Sequence, residues 1–126
     1  MNLREQRALR IRREGSPYYR WSPGAIWNGE DVYIFLDTQF PESRKYAPLD
    51  WYEIVNNSLS NLTITLNGGQ QHPVPAGTTR KDDLTPITSF NIHNDATAGG
   101  IVDGEVIVTF MRQPITQDKA LREAQR

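Results

Sequence analysis

The sequence predicts an all-β domain, a β-sandwich or small jelly-roll-like barrel, carrying an extended basic N-terminal arm and a short C-terminal helical tail. Three observations lead there. Stretches rich in β-branched and aromatic residues are separated by Gly, Pro, Asn and Asp clusters at intervals of about 8 to 12 residues, the spacing of sandwich and barrel strands. Residues 61–69, NLTITLNGG, alternate strictly, with Leu62, Ile64 and Leu66 on one face and Thr63 and Thr65 on the other. Asn67-Gly68 then supply the pair that a type I′ hairpin turn requires, because both central residues must take φ > 0.

The elements follow in order. Residues 1–14 are good helix formers, yet Leu3, Ala8, Leu9 and Ile11 do not recur at the spacing of a core-facing helix, so an arm is expected. Residues 15–29, GSPYYRWSPGAIWNG, hold two prolines, three glycines and four aromatics. That mixture excludes a regular helix but carries too much ring area to float free, so an extended strap is expected. Arm and strap together make a segment 1–29. DVYIFLDT, residues 31–38, is the first strand, followed by a polar loop, PESRKYAP. In DWYEIVNNS, Trp51, Glu53 and Val55 alternate with Tyr52, Ile54 and Asn56, a second strand.

After the Asn67-Gly68 hairpin, the return strand runs through His72 and Val74, and Pro73 and Pro75 each delete a ladder donor, which places it at a sheet edge. PAGT is a turn and RKDDLTP a charged loop. ITSFNIHN puts Phe90 and Ile92 on one face, and NDATAGG connects it to the last strand. GEVIVTFMR turns Val106, Val108 and Phe110 inward, while Ile107 and Met111 suggest cover on the other face too. The sandwich is thus expected over residues 30–113. The tail 114–126 has helix-forming composition, with Thr116 as N-cap and Asp118 in the first turn.

At 126 residues the chain fits one domain, and a domain of this size buries roughly two-thirds of its unfolded surface. It has no cysteine, which rules out a disulfide framework, a cysteine-based zinc site and a cysteine nucleophile. There is no apolar run of about 18 residues and no apolar stretch behind the Arg-rich start, so neither a membrane span nor a signal peptide is expected.

The near-zero net charge hides an asymmetry. Residues 1–20 carry six arginines against Glu5 and Glu14, a net of +4; residues 112–126 carry four basic against two acidic side chains, a net of +2. Between them, residues 21–111 carry four basic and eleven acidic side chains, a net of −7. An acidic body with cationic ends suits attachment to an acidic surface, a neighbouring copy or nucleic acid.

His72, Asp82, Asp83, His93 and Asp95 invite a metal-site reading. Their spacing does not support one: the histidines fall on different strands, and adjacent Asp82 and Asp83 point apart in an extended segment. Turn-forming aspartates and strand-end histidines account for them, and no metal is expected. Nor is there a G-x-S-x-G elbow, an H-E-x-x-H pair or a Gly-rich phosphate loop, so no catalytic residue and no cofactor are expected.

The N-terminal constellation is richer. RALRIRREGSPYYRW interleaves arginines with rings, and ten of the twelve aromatics lie at or before Tyr52. Arginines and rings serve both single-stranded nucleic acid and protein interfaces. An acidic body beside the arm repels phosphates, so a protein partner is expected instead, bound through Arg4, Arg7, Arg10, Arg12, Arg13, Tyr18, Tyr19, Trp21 and Trp27, with packing of the rings within the chain as the alternative. Edge strands that need cover make homo-oligomerisation, for example as a trimer, a further expectation.

Over residues 54–112, about half the chain, the sequence resembles small β-domains of tailed-phage and related virion proteins. The matching features are the N-N-S start at Asn56, the strand ending in Asn67-Gly68, the VPAGT turn from Val74, the I-x-N strand end at Asn94 and the last strand after Gly104-Glu105. The resemblance implies a virion structural role, such as a capsid decoration or cement protein assembled in the host cytoplasm, bound to the major capsid protein or other virion subunits. A carbohydrate- or ligand-binding module of a tail or head fibre, with Trp51 and Tyr52 in a cleft, is the alternative.

Overall fold

The computed structural model describes residues 18–97 and 99–112, with residues 3, 5 and 6 before them, and leaves aside the side chains of residues 84 and 85 within β7. The strands are β1 (Tyr18–Trp21), β2 (Ile26–Trp27), β3 (Asp31–Phe35), β4 (Leu49–Asn56), β5 (Leu62–Leu66), β6 (Gln70–Val74), β7 (Thr79–Ile87), β8 (Ser89–Asn94), β9 (Gly100–Ile101) and β10 (Val106–Met111). A helical turn α1 (Leu36–Gln39) and a 3-10 turn (Pro41–Lys45) fill the connection from β3 to β4.

The strands form an antiparallel β-sandwich of jelly-roll character. One sheet runs β1-β10-β4-β7, the other β3-β8-β5-β6, and β2 and β9 pair as a short ribbon. The chain crosses between the sheets at almost every connection; only β5 and β6 form a hairpin of sequence neighbours.

Alternation in the sequence becomes the core directly. Leu62, Ile64 and Leu66 of β5, Phe90 and Ile92 of β8, Tyr52 and Ile54 of β4 and Val106, Val108 and Phe110 of β10 are all buried. Phe90 is the hub between the sheets, meeting Phe110 at 5.1 Å, Tyr52 at 5.5 Å and Trp21 at 6.5 Å, each edge to face. This orientation sets the positive ring edge against the negative face and adds to simple burial.

The hairpin forms as its residues require. Asn67 has φ 54 and Gly68 φ 74, and asparagine tolerates the left-handed region because its short side chain can bond locally. Here that side chain also ties the hairpin to the β7–β8 corner. Its Oδ1 accepts from Thr88 N at 2.7 Å and Thr88 Oγ1 at 3.0 Å, and its Nδ2 donates to Pro86 O at 2.8 Å. Asn67→Ala is expected to cost about 1 kcal/mol, because these exposed bonds are exchanged for bonds to water and alanine is disfavoured at φ > 0, measured by denaturant unfolding against Thr65→Ala as a control.

The asparagines of the N-N-S and I-x-N signals have a specific task. Asn56 is fully buried at the end of β4; its Nδ2 donates to Ser60 O at 2.9 Å and Val74 O at 3.2 Å, and its Oδ1 accepts from Ser58 N at 3.0 Å and Ser58 Oγ at 2.6 Å. Asn94, equally buried, donates to Ile26 O at 3.0 Å and accepts from Ala96 N at 3.0 Å. Each pins loop backbone that would otherwise be unpaired in the interior.

Three expectations are corrected. The strap is not laid over something else: Tyr18–Trp21 is a sheet strand paired to β10, and Trp21 and Ile26 are core residues. Prolines and glycines hid this, yet Pro23, Gly24 and Gly29 lie outside β1 and β2. The segment RKDDLTP is no loop but part of β7, paired along β4. Its inward positions include Arg80 and Asp82, so the segment lacks the apolar alternation by which a strand is read from sequence. The first strand stops at Phe35, where Leu36 turns inward and the chain coils into α1. The tail 113–126 lies outside the described residues.

Candidate functional site

Two polar clusters and one set of exposed rings stand apart from the core. The first cluster closes the edge where β6 and β7 face each other across the sandwich. His72 is the cross-strand partner of Ile64, Arg80 of Ile54 and Asp82 of Tyr52, so all three share the inward faces. Tyr52 Oη donates to Asp82, Arg80 Nε donates to Asp82 Oδ2 at 3.1 Å, and Arg80 Nη2 lies 3.0 Å from His72 Nδ1. A guanidinium has only donors, so the imidazole nitrogen accepts.

Burial raises the Asp82 pKa, but the Tyr52 hydrogen bond and the Arg80 charge outweigh it and hold the carboxyl below its ordinary value. Burial, then the bond to Asp82, pushes the Tyr52 hydroxyl well up. The groups are spent on one another, a clasp between the sheets. A carboxyl depressed in the folded state contributes stability above its unfolded pKa, and that contribution disappears as pH falls through the depressed value. Asp82→Asn is therefore expected to be less stable than the parent near pH 7, with the gap beginning to narrow only below about pH 4 and closing as pH falls through the depressed value. Denaturant midpoints across that range provide the check; a constant gap would remove the ionised carboxylate from the account.

The second cluster lies on the outer face of β3 and β8. His93 Nδ1 is 3.1 Å from Asp31 Oδ1 and its Nε2 is 3.7 Å from Asp95 Oδ1. Asn91 Nδ2 donates to Asp31 at 2.9 Å and Thr63 Oγ1 to Asp95 at 2.6 Å. The Asn91 bond, together with His93, lowers the Asp31 pKa. The histidines thus belong to different clusters on opposite faces of one sheet, and among the described residues no group of three or more His, Cys, Asp or Glu side chains is arranged to hold a metal.

The expected docking residues divide. Tyr18 and Trp27 are exposed, at 69% and 63%. Trp21 is buried at 8% and is corrected to a core role, while Tyr19 points inward, partly buried, and packs on Phe40 at 5.3 Å. The reason is strand alternation: in β1, Tyr18 and Arg20 face outward and Tyr19 and Trp21 inward. Arg4, Arg7, Arg10, Arg12 and Arg13 lie outside the described residues. Tyr52 is fully buried, which removes it from any cleft.

Sequence reading missed Tyr33 and Phe35, half-exposed on edge strand β3 with rings 5.1 Å apart. Their signal was present, since Val32 and Ile34 alternate with them, but ring size masked which face was wet. Arg112 was counted with the cationic tail; it is buried, and its Nη1 donates to Tyr46 O and Ala47 O, both at 3.1 Å.

No protein-family model matches the chain, and no curated protein does. Among solved structures, the chain is similar to the coat protein of Tobacco streak virus, at 11% identity and a TM-score of 0.43, over 82% of this chain and 91% of that one. It is similar to a cupin domain of an XRE family transcriptional regulator from Enterobacter cloacae, at 8% identity and 0.43, over 79% and 98%. It is also similar to the subunit of disulfide-linked pili forming Bacillus endospore appendages, at 15% identity and 0.42, over 79% and 86%. At this degree of overlap none of the three assigns a role to this chain. Among the described residues no helix is long and apolar enough to cross a membrane.

Proposed function

We propose that the protein is a non-enzymatic structural subunit of a virion, a capsid decoration or cement protein that attaches to the major capsid protein and to sister subunits through its basic arm and exposed rings. The observation that carries this reading is where the polar and aromatic groups are spent. The inter-sheet space, where a small barrel would hold a ligand, is filled by Phe90, Phe110, Tyr52 and Trp21. The rings left over, Tyr18, Trp27, Tyr33 and Phe35, stand on the outside, where large apolar side chains mark contact surfaces. The arginine arm joins the body at Tyr18, one of these rings. The phage-like turn pattern of residues 54–112 agrees with the assignment to virions.

Protein quantification of particles purified from the native source tests this. The chain is expected in the particles at a fixed ratio to the shell protein, and its recovery only in the soluble fraction would overturn the reading. The outer face of β3 and β8 supports a second reading, a carbohydrate-binding module of a fibre, because Tyr33 and Phe35 lie beside Asp31 and Asn91. Glycan binding that survives removal of the arm but not Tyr33→Ala would favour it.

A further inference from the structure

The charge asymmetry of the sequence becomes a polarity of the folded body. Tyr18 pairs with Met111 and Trp21 with Val108, so the chain enters β1 at one pole of the sandwich and leaves it at the other. At that far pole Ser22 Oγ donates to Asp103 Oδ1 at 3.1 Å, which sets the β9–β10 turn beside the end of β1. The β2–β9 ribbon stands there. Ile26 and Ile101 face each other and are fully buried, so the alternate residues Trp27 and Val102 point outward, and both are more than 60% exposed, at 63% and 62%.

Trp27 is held against the ribbon. It pairs with Gly100, where a Cβ would come within 3.1 Å of the indole Cε3. Glycine lets the ring lie against the backbone, with most of its surface left to solvent. The carboxylates of Asp103 and Glu105, whose Oε1 accepts from Val102 N at 2.8 Å, lie beside this apolar face, and Glu30 stands in the turn after Trp27, its N–H donating to Trp27 O at 3.1 Å. No Lys or Arg occurs in residues 22–32 or 94–108, which carry the ribbon and the segments that flank it.

We infer that the outer face of the β2–β9 ribbon receives the basic arm, residues 1–17, of a second copy of this chain. Charge complementarity selects the occupant. The arm carries five arginines against two glutamates, and an arginine stacks on an indole face while bonding to carboxylates at its rim. The arm joins the body at the pole opposite the ribbon, which suits a neighbour placed head to tail. Such a contact is heterologous, so it closes into a ring or extends as a row, as a shell-coating subunit would use it. The inference rests on the assembly role proposed above and names the surface by which sister subunits meet.

Sedimentation velocity on the full-length chain tests it with two complementary variants. The arm variant, Arg10→Glu with Arg12→Glu and Arg13→Glu, keeps the ribbon; the ribbon variant, Trp27→Ala with Glu30→Lys, keeps the arm. The parent is expected to associate at low salt and to dissociate as salt is raised. Each variant alone is expected to sediment as a monomer, and an equimolar mixture to recover a 1:1 dimer, because one good arm then meets one good ribbon. Val102→Glu replaces the ribbon variant if thermal melting shows that the first is unfolded. A monomeric parent at low salt, a ribbon variant that associates like the parent, or a mixture that stays monomeric would each overturn the inference. Shell attachment measured on the same proteins separates the two readings: attachment without self-association overturns only this inference, and self-association without attachment overturns only the proposed function.

Discussion

Replacing Phe90 with alanine is expected to cost about 3–5 kcal/mol, the range for truncating a buried aromatic ring. That is a large share of the roughly 5–15 kcal/mol by which a domain is stable. Phe90 is fully buried and sits where the sheets meet, with Phe110 and Tyr52 from one sheet and Trp21 from the first strand around it. Removing the ring leaves a cavity bounded by three other rings that cannot close on it without moving a strand. Each edge-to-face pair lost adds about 0.5–1.5 kcal/mol beyond burial. Guanidinium unfolding of Phe90→Ala should show a lowered midpoint with an unchanged slope, whereas Phe35→Ala, on the wet face of β3, should stay within about 1 kcal/mol of the parent. Equal effects at the two positions would mean that the sheets do not pack around Phe90.

The second large effect concerns where the N-terminal segment stops being an arm. Deleting residues 1–17 is expected to leave a cooperatively folded domain, and deleting residues 1–27 to abolish folding. The longer deletion removes β1, which pairs with β10 from Tyr18↔Met111 to Trp21↔Val108, and β2, which supplies Ile26. Burying a large apolar side chain contributes about 1.5–3 kcal/mol, so losing Trp21 and Ile26 while baring the whole edge of β10 exhausts a typical stability. Circular dichroism melts of the two truncations decide it. A cooperative melt near the parent temperature from the 1–27 deletion would contradict the pairing of β1 and restore the strap as an appendage.

The contrast between these segments shows what was legible in the sequence. Strand β5 and its hairpin could be read residue by residue, because period-2 alternation and the Asn67-Gly68 turn are local signals. β10 and β8 were legible for the same reason. β1 and β7 were not. In β1 the pattern covers four residues between prolines and glycines, and its meaning comes from pairing with a strand about ninety residues away. In β7 the inward positions carry Arg80 and Asp82, which read as solvated until Tyr52 and His72 arrive from two other strands to pair with them.

The candidate site follows the same division. Trp27 as an exposed ring was legible, but Trp21 carries the same side chain as Trp27 and Tyr19 the same as Tyr18, and only their place along a strand separates inward from outward rings. The ribbon that presents Trp27 is assembled from residues 26–27 and 100–101, joined only by the fold. The asparagines of the N-N-S and I-x-N signals looked like turn formers, and they are, but through side chains buried against loop backbone. That role depends on burial, which residue type alone does not reveal.

Affinity capture from a lysate of the native source tests the proposed attachment of this chain to a virion shell through its arm. The tagged full-length chain and its 1–17 deletion are compared across a salt series, with the captured proteins identified by mass. One abundant shell-forming protein is expected to be bound by the full-length chain and lost with the folded 1–17 deletion. Capture of nucleic acid that falls away steeply with salt, or of glycans alone, would contradict it.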